Sequence, residues 1–268
     1  MLARRSFLQW GLGGGTLAWS VATPASAGDR LPSRADSPLV GVDPVFVDTG
    51  LTARWSAAMK QDLGWSARWS AMDTSDVLNG LEQGELDAGM FLSHPRADAL
   101  DKQGLIYNRL SLARTGVLLV GPTDDVAGIR SETDPARALA QVINASNAGA
   151  ARWLAPQPGS ALALLADQLV HGLNARHPSA SSASASHSPG NSAAYRLITQ
   201  AQWLKSPPKG EKLKVWLNDP ARLYLEAQVA CSFRSRHAGA KLLLSWLQWP
   251  LAQSAIKASK PGWQPMKE

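Results

Sequence analysis

Cysteine is almost missing from this chain of 268 residues, which holds only Cys231. A single thiol cannot form an internal disulfide, so the sequence excludes a small domain built on a disulfide framework. Cys231 lies in an apolar run typical of a strand. We therefore expect a small buried core residue at this position rather than a reactive thiol.

Long apolar runs are missing as well. The weakly apolar residues 10–21 are fewer than the roughly 20 that a membrane-spanning helix needs. Arg4 and Arg5 precede this stretch, and the small residues 25–27 follow it. A pair of arginines, a short apolar segment and a cleavable small-residue site predict a twin-arginine signal peptide over residues 1–27. The predicted location of the mature protein is the periplasm.

Charge of one sign is not concentrated anywhere in the chain. Its 27 basic and 21 acidic residues give a net charge of +6, and two of the basic residues belong to the predicted signal. The remaining basic residues are scattered and form no stripe interleaved with aromatic residues. Nucleic acid is therefore not an expected partner.

Patterns that carry catalysis or metal binding are also missing. The five histidines have neither the spacing of a helical metal pair nor a cysteine partner. The sequence has no nucleophile elbow, paired carboxylates or phosphate loop. It predicts no catalytic residue, no metal site, no cofactor and no enzymatic activity.

What is present is an alternation of strand-like and helix-like segments. Strands are predicted at residues 39–47, 65–69 and 86–92, with helices at 51–63 and 77–83 between them, which indicates a parallel α/β sheet. The pattern continues with helices at 97–103, 134–147 and 238–258 and a strand at 115–120, and further ordered segments are predicted at 195–198, 213–217 and 223–233. Residues 28–37 are predicted to form a flexible arm, and the Ser/Ala-rich residues 177–192 a disordered loop.

Three segments resemble the tungstate-binding proteins of tungstate ABC importers. They are residues 84–95, residues 108–109 together with 117–129, and residues 48–51. The run from Gly121 and Pro122 through Asp124 and Asp125 is the most specific, and fainter similarity extends the resemblance over most of residues 39–256.

The resemblance implies an α/β, two-lobed periplasmic-binding-protein fold of type II with two hinge crossovers and a ligand cleft between the lobes. The expected crossovers lie near residues 110–115 and 197–201. Lobe 1 would comprise residues 38–112 and 200–268, and lobe 2 residues 113–199, including the loop at 177–192.

The oxyanion site of that family is only partly represented. Its Thr/Ser-rich run after the first strand corresponds to residues 42–45, where Asp43 adds negative charge and Pro44 lacks an N–H donor. The family's two arginines are also missing, with Gln200 in place of one. Polar candidates remain at strand-to-helix junctions, where cleft contacts arise in such folds and where helix caps are also needed. These ligand-binding candidates are Thr49, Thr74, Ser75, Ser93, Ser160, Thr199 and Gln200.

Two functions follow from the resemblance. The first is an exported solute-binding component of an ABC importer, with altered or lost oxyanion specificity. Its partners would be a small solute, an oxyanion or another molecule, an inner-membrane ABC permease, and the twin-arginine translocase during export. The alternative is a pocket-degenerate interaction or sensor protein that contacts another exported protein.

Overall fold

The computed structural model describes residues 37–173, 194–207 and 212–266. The predicted signal peptide, the predicted loop at 177–192 and the arm up to residue 36 lie outside the described residues. No helix within the described ranges is long and apolar enough to cross a bilayer.

Strands and helices alternate along the chain. The strands are β1 (Leu39–Val42), β2 (Arg68–Ala71), β3 (Ala88–Leu92), β4 (Ile106–Pro122), β5 (Arg196–Thr199), β6 (Leu213–Asn218), β7 (Tyr224–Ser232) and β8 (Gln264–Pro265). The helices are α1 (Pro44–Asp48), α2 (Leu51–Leu63), α3 (Thr74–Gln83), α4 (Pro95–Lys102), α5 (Pro135–Asn147), α6 (Ala161–Val170), α7 (Gln200–Lys205), α8 (Ala238–Leu247) and α9 (Pro250–Lys257).

One part of the sheet has the strand order β2-β1-β3-β7-β4. Strand β1 pairs in parallel with β2 and β3, whereas β7 runs antiparallel to both β3 and β4. The sequence pattern therefore predicted the parallel strands correctly but not the antiparallel ones, since a run of apolar residues does not encode strand direction. The parallel strands all end at one edge, where the residues that follow them can form a shared site.

Strand β4 joins the two parts of the molecule. Its first part, as far as Gly116, pairs with β7, and its second part, from Val117 to Pro122, pairs with β5 and β6. We call the β2-β1-β3-β7 part lobe 1 and the β5-β6 part lobe 2. We therefore propose that the first crossover lies at Gly116–Val117, just after the expected interval 110–115.

The division between the lobes differs from the expectation in one respect. Strand β6 pairs with β4 beside Leu118–Pro122, in the same lobe as β5, although residues 200–268 were expected in lobe 1. Helix α7, between them, packs against α1 of lobe 1. We therefore propose that the final return to lobe 1 occurs between Asn218 and Tyr224, rather than near residues 197–201.

Proline determines two further differences from the predicted elements. Strand β1 ends at Val42 because Asp43 caps a helix that begins at Pro44, where a missing N–H costs nothing. The predicted closing helix is two helices, since Trp249 adopts an extended conformation and Pro250 starts α9. The first of these differences places Asp43 at the edge of the sheet.

Candidate functional site

Three polar residues follow the three parallel strands of lobe 1. Asp43 comes after β1, Thr74 after β2 and Ser93 after β3. Because the carboxyl ends of parallel strands share one edge of the sheet, these side chains lie on the face where ligands bind in open α/β folds. We call the space between this edge and the residues of lobe 2 facing it the cleft.

Asp43 holds the centre of this edge. Its carboxylate accepts a hydrogen bond from Val45 N–H at 3.1 Å and another from Thr74 Oγ1 at 2.7 Å. Thr74 Oγ1 in turn accepts a hydrogen bond from Leu92 N–H at 3.1 Å. Thr74 is fully buried and Asp43 nearly so, so one carboxylate links the residues after β1, β2 and β3.

Burial raises the pKa of Asp43, because desolvation disfavours the charged form more than its hydrogen bonds stabilise it, and the nearby Asp73 acts in the same direction. The Asp43 hydrogen bonds also fill two donors, Val45 N–H and Thr74 Oγ1, which could otherwise point to a bound anion. The Asp43 carboxylate thus occupies the start of α1, which is the position in the cleft that would otherwise accommodate a bound anion best.

Ser93 is the third residue of the edge. Its N–H donates to the Glu226 carbonyl at 2.7 Å, and its hydroxyl accepts from Glu226 N–H at 3.2 Å. These two bonds attach Ser93 to β7. Its hydroxyl proton has no acceptor among the described residues and could donate to a ligand.

Lobe 1 meets lobe 2 at Gly159. A side-chain carbon at Gly159 would lie 3.5 Å from Ser75 Oγ. His94 Nδ1 accepts from Arg96 N–H at 3.0 Å, so the neutral imidazole carries its proton on Nε2, which can donate to the Gly159 backbone. Of the seven candidates, Ser75, Ser93 and Ser160 lie nearest this junction.

The loop that carries Gly159 is attached to β5. Tyr195 N–H donates to the Arg152 carbonyl at 2.8 Å, and Leu154 N–H donates to the Tyr195 carbonyl at 2.9 Å. The Tyr195 ring covers Gly121 so closely that a Cβ there would lie 2.2 Å from a ring carbon. The glycine of the motif at residues 121–125 is thereby explained by packing.

The remaining lobe 2 candidates lie at helix starts. Ser160 caps α6 by accepting from Ala163 N–H at 3.2 Å, and Thr199 caps α7 by accepting from Gln202 N–H at 3.2 Å. Gln200 begins α7 beside the crossover, where a Cβ on Gly116 would lie 2.9 Å from its Oε1. Ser160 and Gln200 are half-buried, whereas Thr199 is almost fully buried.

Thr49 is the candidate that lies away from the cleft. It follows the last residue of α1, at the opposite end from Asp43. Its hydroxyl donates to the Val45 carbonyl at 2.6 Å and accepts from Trp263 Nε1 at 3.1 Å. The structure therefore does not bring Thr49 together with Ser75, Ser93 and Ser160.

Sequence reasoning left three cleft residues out of the candidate set: Asp43, which was noted only for its charge, His94 and Gly159. The signal for the position of His94 is Pro95, which marks a helix start with His94 as its cap. Gly159 carries no side chain, so no pattern of polar residues could indicate its contact with lobe 1. Among the described residues no three His, Cys, Asp or Glu side chains come together as metal ligands.

The pKa of His94 gives the cleft a predicted pH dependence. It is lowered from 6.5, chiefly because burial disfavours the charged ring, while the Gly159 backbone bond acts in the opposite direction. The folded protein therefore favours the neutral ring. The contribution of His94 to the free energy of unfolding is complete above about pH 6.5 and is lost as the pH falls below that value.

We expect His94→Asn to reduce the loss of thermal stability between pH 7.5 and pH 5. Asparagine can still cap α4 but does not titrate. The measurement is the melting temperature of both proteins across this range, with His171→Asn, a surface histidine, as the matched control. An equal pH dependence in wild type and His94→Asn would contradict the assignment.

No protein-family model matches the chain, and no curated protein matches it. Solved structures do match. A periplasmic protein provisionally described as metal-binding shares 20% identity at a TM-score of 0.72, over 87% of this chain and 97% of that one.

Two tungstate proteins are also similar. The tungstate-binding protein TupA from Desulfovibrio alaskensis shares 18% identity at a TM-score of 0.65, over 87% of this chain and 99% of that one. The tungstate ABC transporter structure from Geobacter sulfurreducens shares 15% identity at a TM-score of 0.66, over 84% and 100%. The chain has the two-lobed α/β fold of the periplasmic binding proteins.

Proposed function

We propose that this protein is an exported solute-binding protein of ABC-importer type whose cleft selects a small neutral or cationic solute and rejects tetrahedral oxyanions. The likeness to periplasmic binding proteins, including two tungstate proteins, supports the solute-binding role. Export through the twin-arginine route and delivery of the solute to an inner-membrane permease are part of the proposal.

The carboxylate of Asp43 carries the proposal on specificity. An oxyanion beside it would meet a like charge in a partly desolvated site, where repulsion between unit charges about 4 Å apart is on the order of 4 kcal/mol at an effective dielectric constant of about 20. The structure also shows Asp43 using the Val45 and Thr74 donors. Ser75, Ser93, Ser160 and Gln200 then remain as neutral groups for a solute.

Titration calorimetry with tungstate and molybdate tests this proposal. We expect the purified mature protein to bind neither with submicromolar affinity, since several charge-assisted bonds, each worth roughly 1.5–3 kcal/mol, are missing. A thermal-shift screen of neutral and cationic solutes should instead find a compound that raises the melting temperature. Submicromolar tungstate binding would contradict the proposed specificity.

The internal use of the candidate hydroxyls favours a second function. Thr49, Thr74 and Thr199 each both donate and accept within the protein, so they have little left for a ligand. This supports the alternative of an interaction or sensor protein that keeps the two-lobed shape without a small ligand.

Variants at the cleft separate the two candidates. If a solute stabilises the wild type, Ser160→Ala and Ser93→Ala should weaken its binding in the solute-binding function. A screen without any stabilising solute, together with cross-linking to one exported protein that Ser75→Arg abolishes, would support the alternative.

A further inference from the structure

A second cavity lies at the far end of α1 from Asp43. Its volume is about 160 Å³. A single water needs roughly 10–15 Å³ on a comparable scale, so the cavity has room for a tetrahedral oxyanion. It lies between α2, α7 and the segment that follows α9, and is lined by Thr49, Arg54, Ala201, Leu204, Lys205, Ala258, Ser259, Lys260, Pro261, Gly262 and Trp263.

The floor of this cavity is formed by closely packed, buried side chains. Trp263 is 1% exposed and stacks on Phe46, with ring centroids 5.1 Å apart and an interplanar angle of 8°. Its indole N–H donates to Thr49 Oγ1 at 3.1 Å. The Thr49 hydroxyl proton is itself used by the Val45 carbonyl, so the polar atoms of the floor are satisfied within the protein.

The rim carries three cations, Arg54, Lys205 and Lys260. No carboxylate of the described residues lines the cavity, and within those residues none of the three cations forms an ion pair. Ion pairs do occur elsewhere in the described residues, at Arg96–Glu82, Arg109–Asp98 and Arg222–Asp219. Three cations around one concave surface, with no carboxylate among the described residues that line it, create a local positive potential.

Arg54 is held in position at this rim. Its guanidinium donates to Ser259 Oγ, and that hydroxyl donates to the Ala255 carbonyl at 2.8 Å. One N–H of five is used in this bond, so the others remain for a ligand. A fixed guanidinium presents donors in the geometry that oxyanions accept, and lysine ammonium groups add further donors.

We propose that this cavity is an anion site that binds inorganic phosphate, or the phosphate group of a larger molecule, through Arg54, Lys205 and Lys260. The bound group connects α7 to the segment after α9. These two elements already touch, since a Cβ on Gly262 would lie 2.8 Å from Ala201 Cα. The site does not depend on the cleft, because it shares none of the cleft residues.

Titration of the mature protein with inorganic phosphate tests the proposal, with chloride replaced to keep the ionic strength constant. We expect saturable binding by calorimetry and a rise in melting temperature. The double variant Lys205→Gln/Lys260→Gln should bind phosphate at least about tenfold more weakly. The double variant Lys60→Gln/Lys102→Gln, which removes two exposed lysines outside the cavity, should bind like wild type.

A second arm distinguishes free phosphate from a lipid headgroup. Co-sedimentation with phosphatidylglycerol vesicles is measured for the same three proteins, with phosphatidylcholine vesicles as the uncharged reference. Binding in either arm that is lost in Lys205→Gln/Lys260→Gln and kept in the control pair supports the site. The arm in which it occurs shows whether the ligand is free phosphate or a lipid headgroup. No binding in either arm, or equal binding by both double variants, overturns it.

Discussion

Replacement of Asp43 by asparagine should raise the affinity of the cleft for tungstate at least about tenfold. The variant removes one negative charge from the edge where β1, β2 and β3 end, and tenfold corresponds to about 1.4 kcal/mol, less than the expected repulsion. Asparagine can still accept from Val45 N–H, so α1 keeps its cap. Titration calorimetry is the measurement. It is repeated in the Lys205→Gln/Lys260→Gln background, so that anion binding at the second cavity does not contribute to the measured affinity.

Glu85→Gln is the matched control for this charge change, since Glu85 is exposed and lies beyond the opposite end of α3 from Thr74. It should leave tungstate affinity at the wild-type level. Asp43→Ala provides an independent reading on stability, because it leaves Val45 N–H and the buried Thr74 hydroxyl without their acceptor. We expect this variant to have a free energy of unfolding about 2–4 kcal/mol lower than that of the wild type. Unchanged tungstate affinity in Asp43→Asn would show that Asp43 does not set the specificity.

Replacement of Arg4 and Arg5 by lysine should abolish export. A signal of the general secretory type needs only positive charge before its apolar segment, whereas the proposed route requires the arginine pair itself. We therefore expect the double variant to accumulate in the cytoplasm at its uncleaved length, while the wild type is recovered from the periplasm at its mature length. Cell fractionation followed by immunoblotting measures both.

Lys102→Gln is a control for this experiment, because it changes a surface charge of the mature chain and should leave export intact. Normal export of the Arg4→Lys/Arg5→Lys protein would contradict the twin-arginine assignment without affecting the proposed cleft. The two proposals therefore fail independently.

Helices and parallel strands could be predicted from the sequence because their signals are local. Helix α5, for example, was predicted at residues 134–147 and runs from Pro135 to Asn147, with Asp134 as its cap. Strand β1 was predicted too long because Val45 and Val47 favour a strand, and the cap at Asp43 with Pro44 outweighs that preference.

The site was less predictable because it depends on long-range contacts. The bond from Thr74 to Asp43 joins residues 31 positions apart, and the contact of Trp263 with Thr49 spans 214 positions. The sequence identified Thr49, Thr74 and Thr199 as polar groups at element ends. It could not show that their partners within the protein already use them.

The continuity of β4 has a consequence for how this protein can be divided. Lobe 2 takes its middle strand from the same 17 residues whose first part pairs with β7 in lobe 1. Cutting the gene at the crossover would give two fragments, each with a sheet that has lost hydrogen-bonded neighbours. The lobes are therefore not modules that evolution or engineering can exchange one at a time, and a fragment of either would have to recover the missing part of the strand from its counterpart before it could fold.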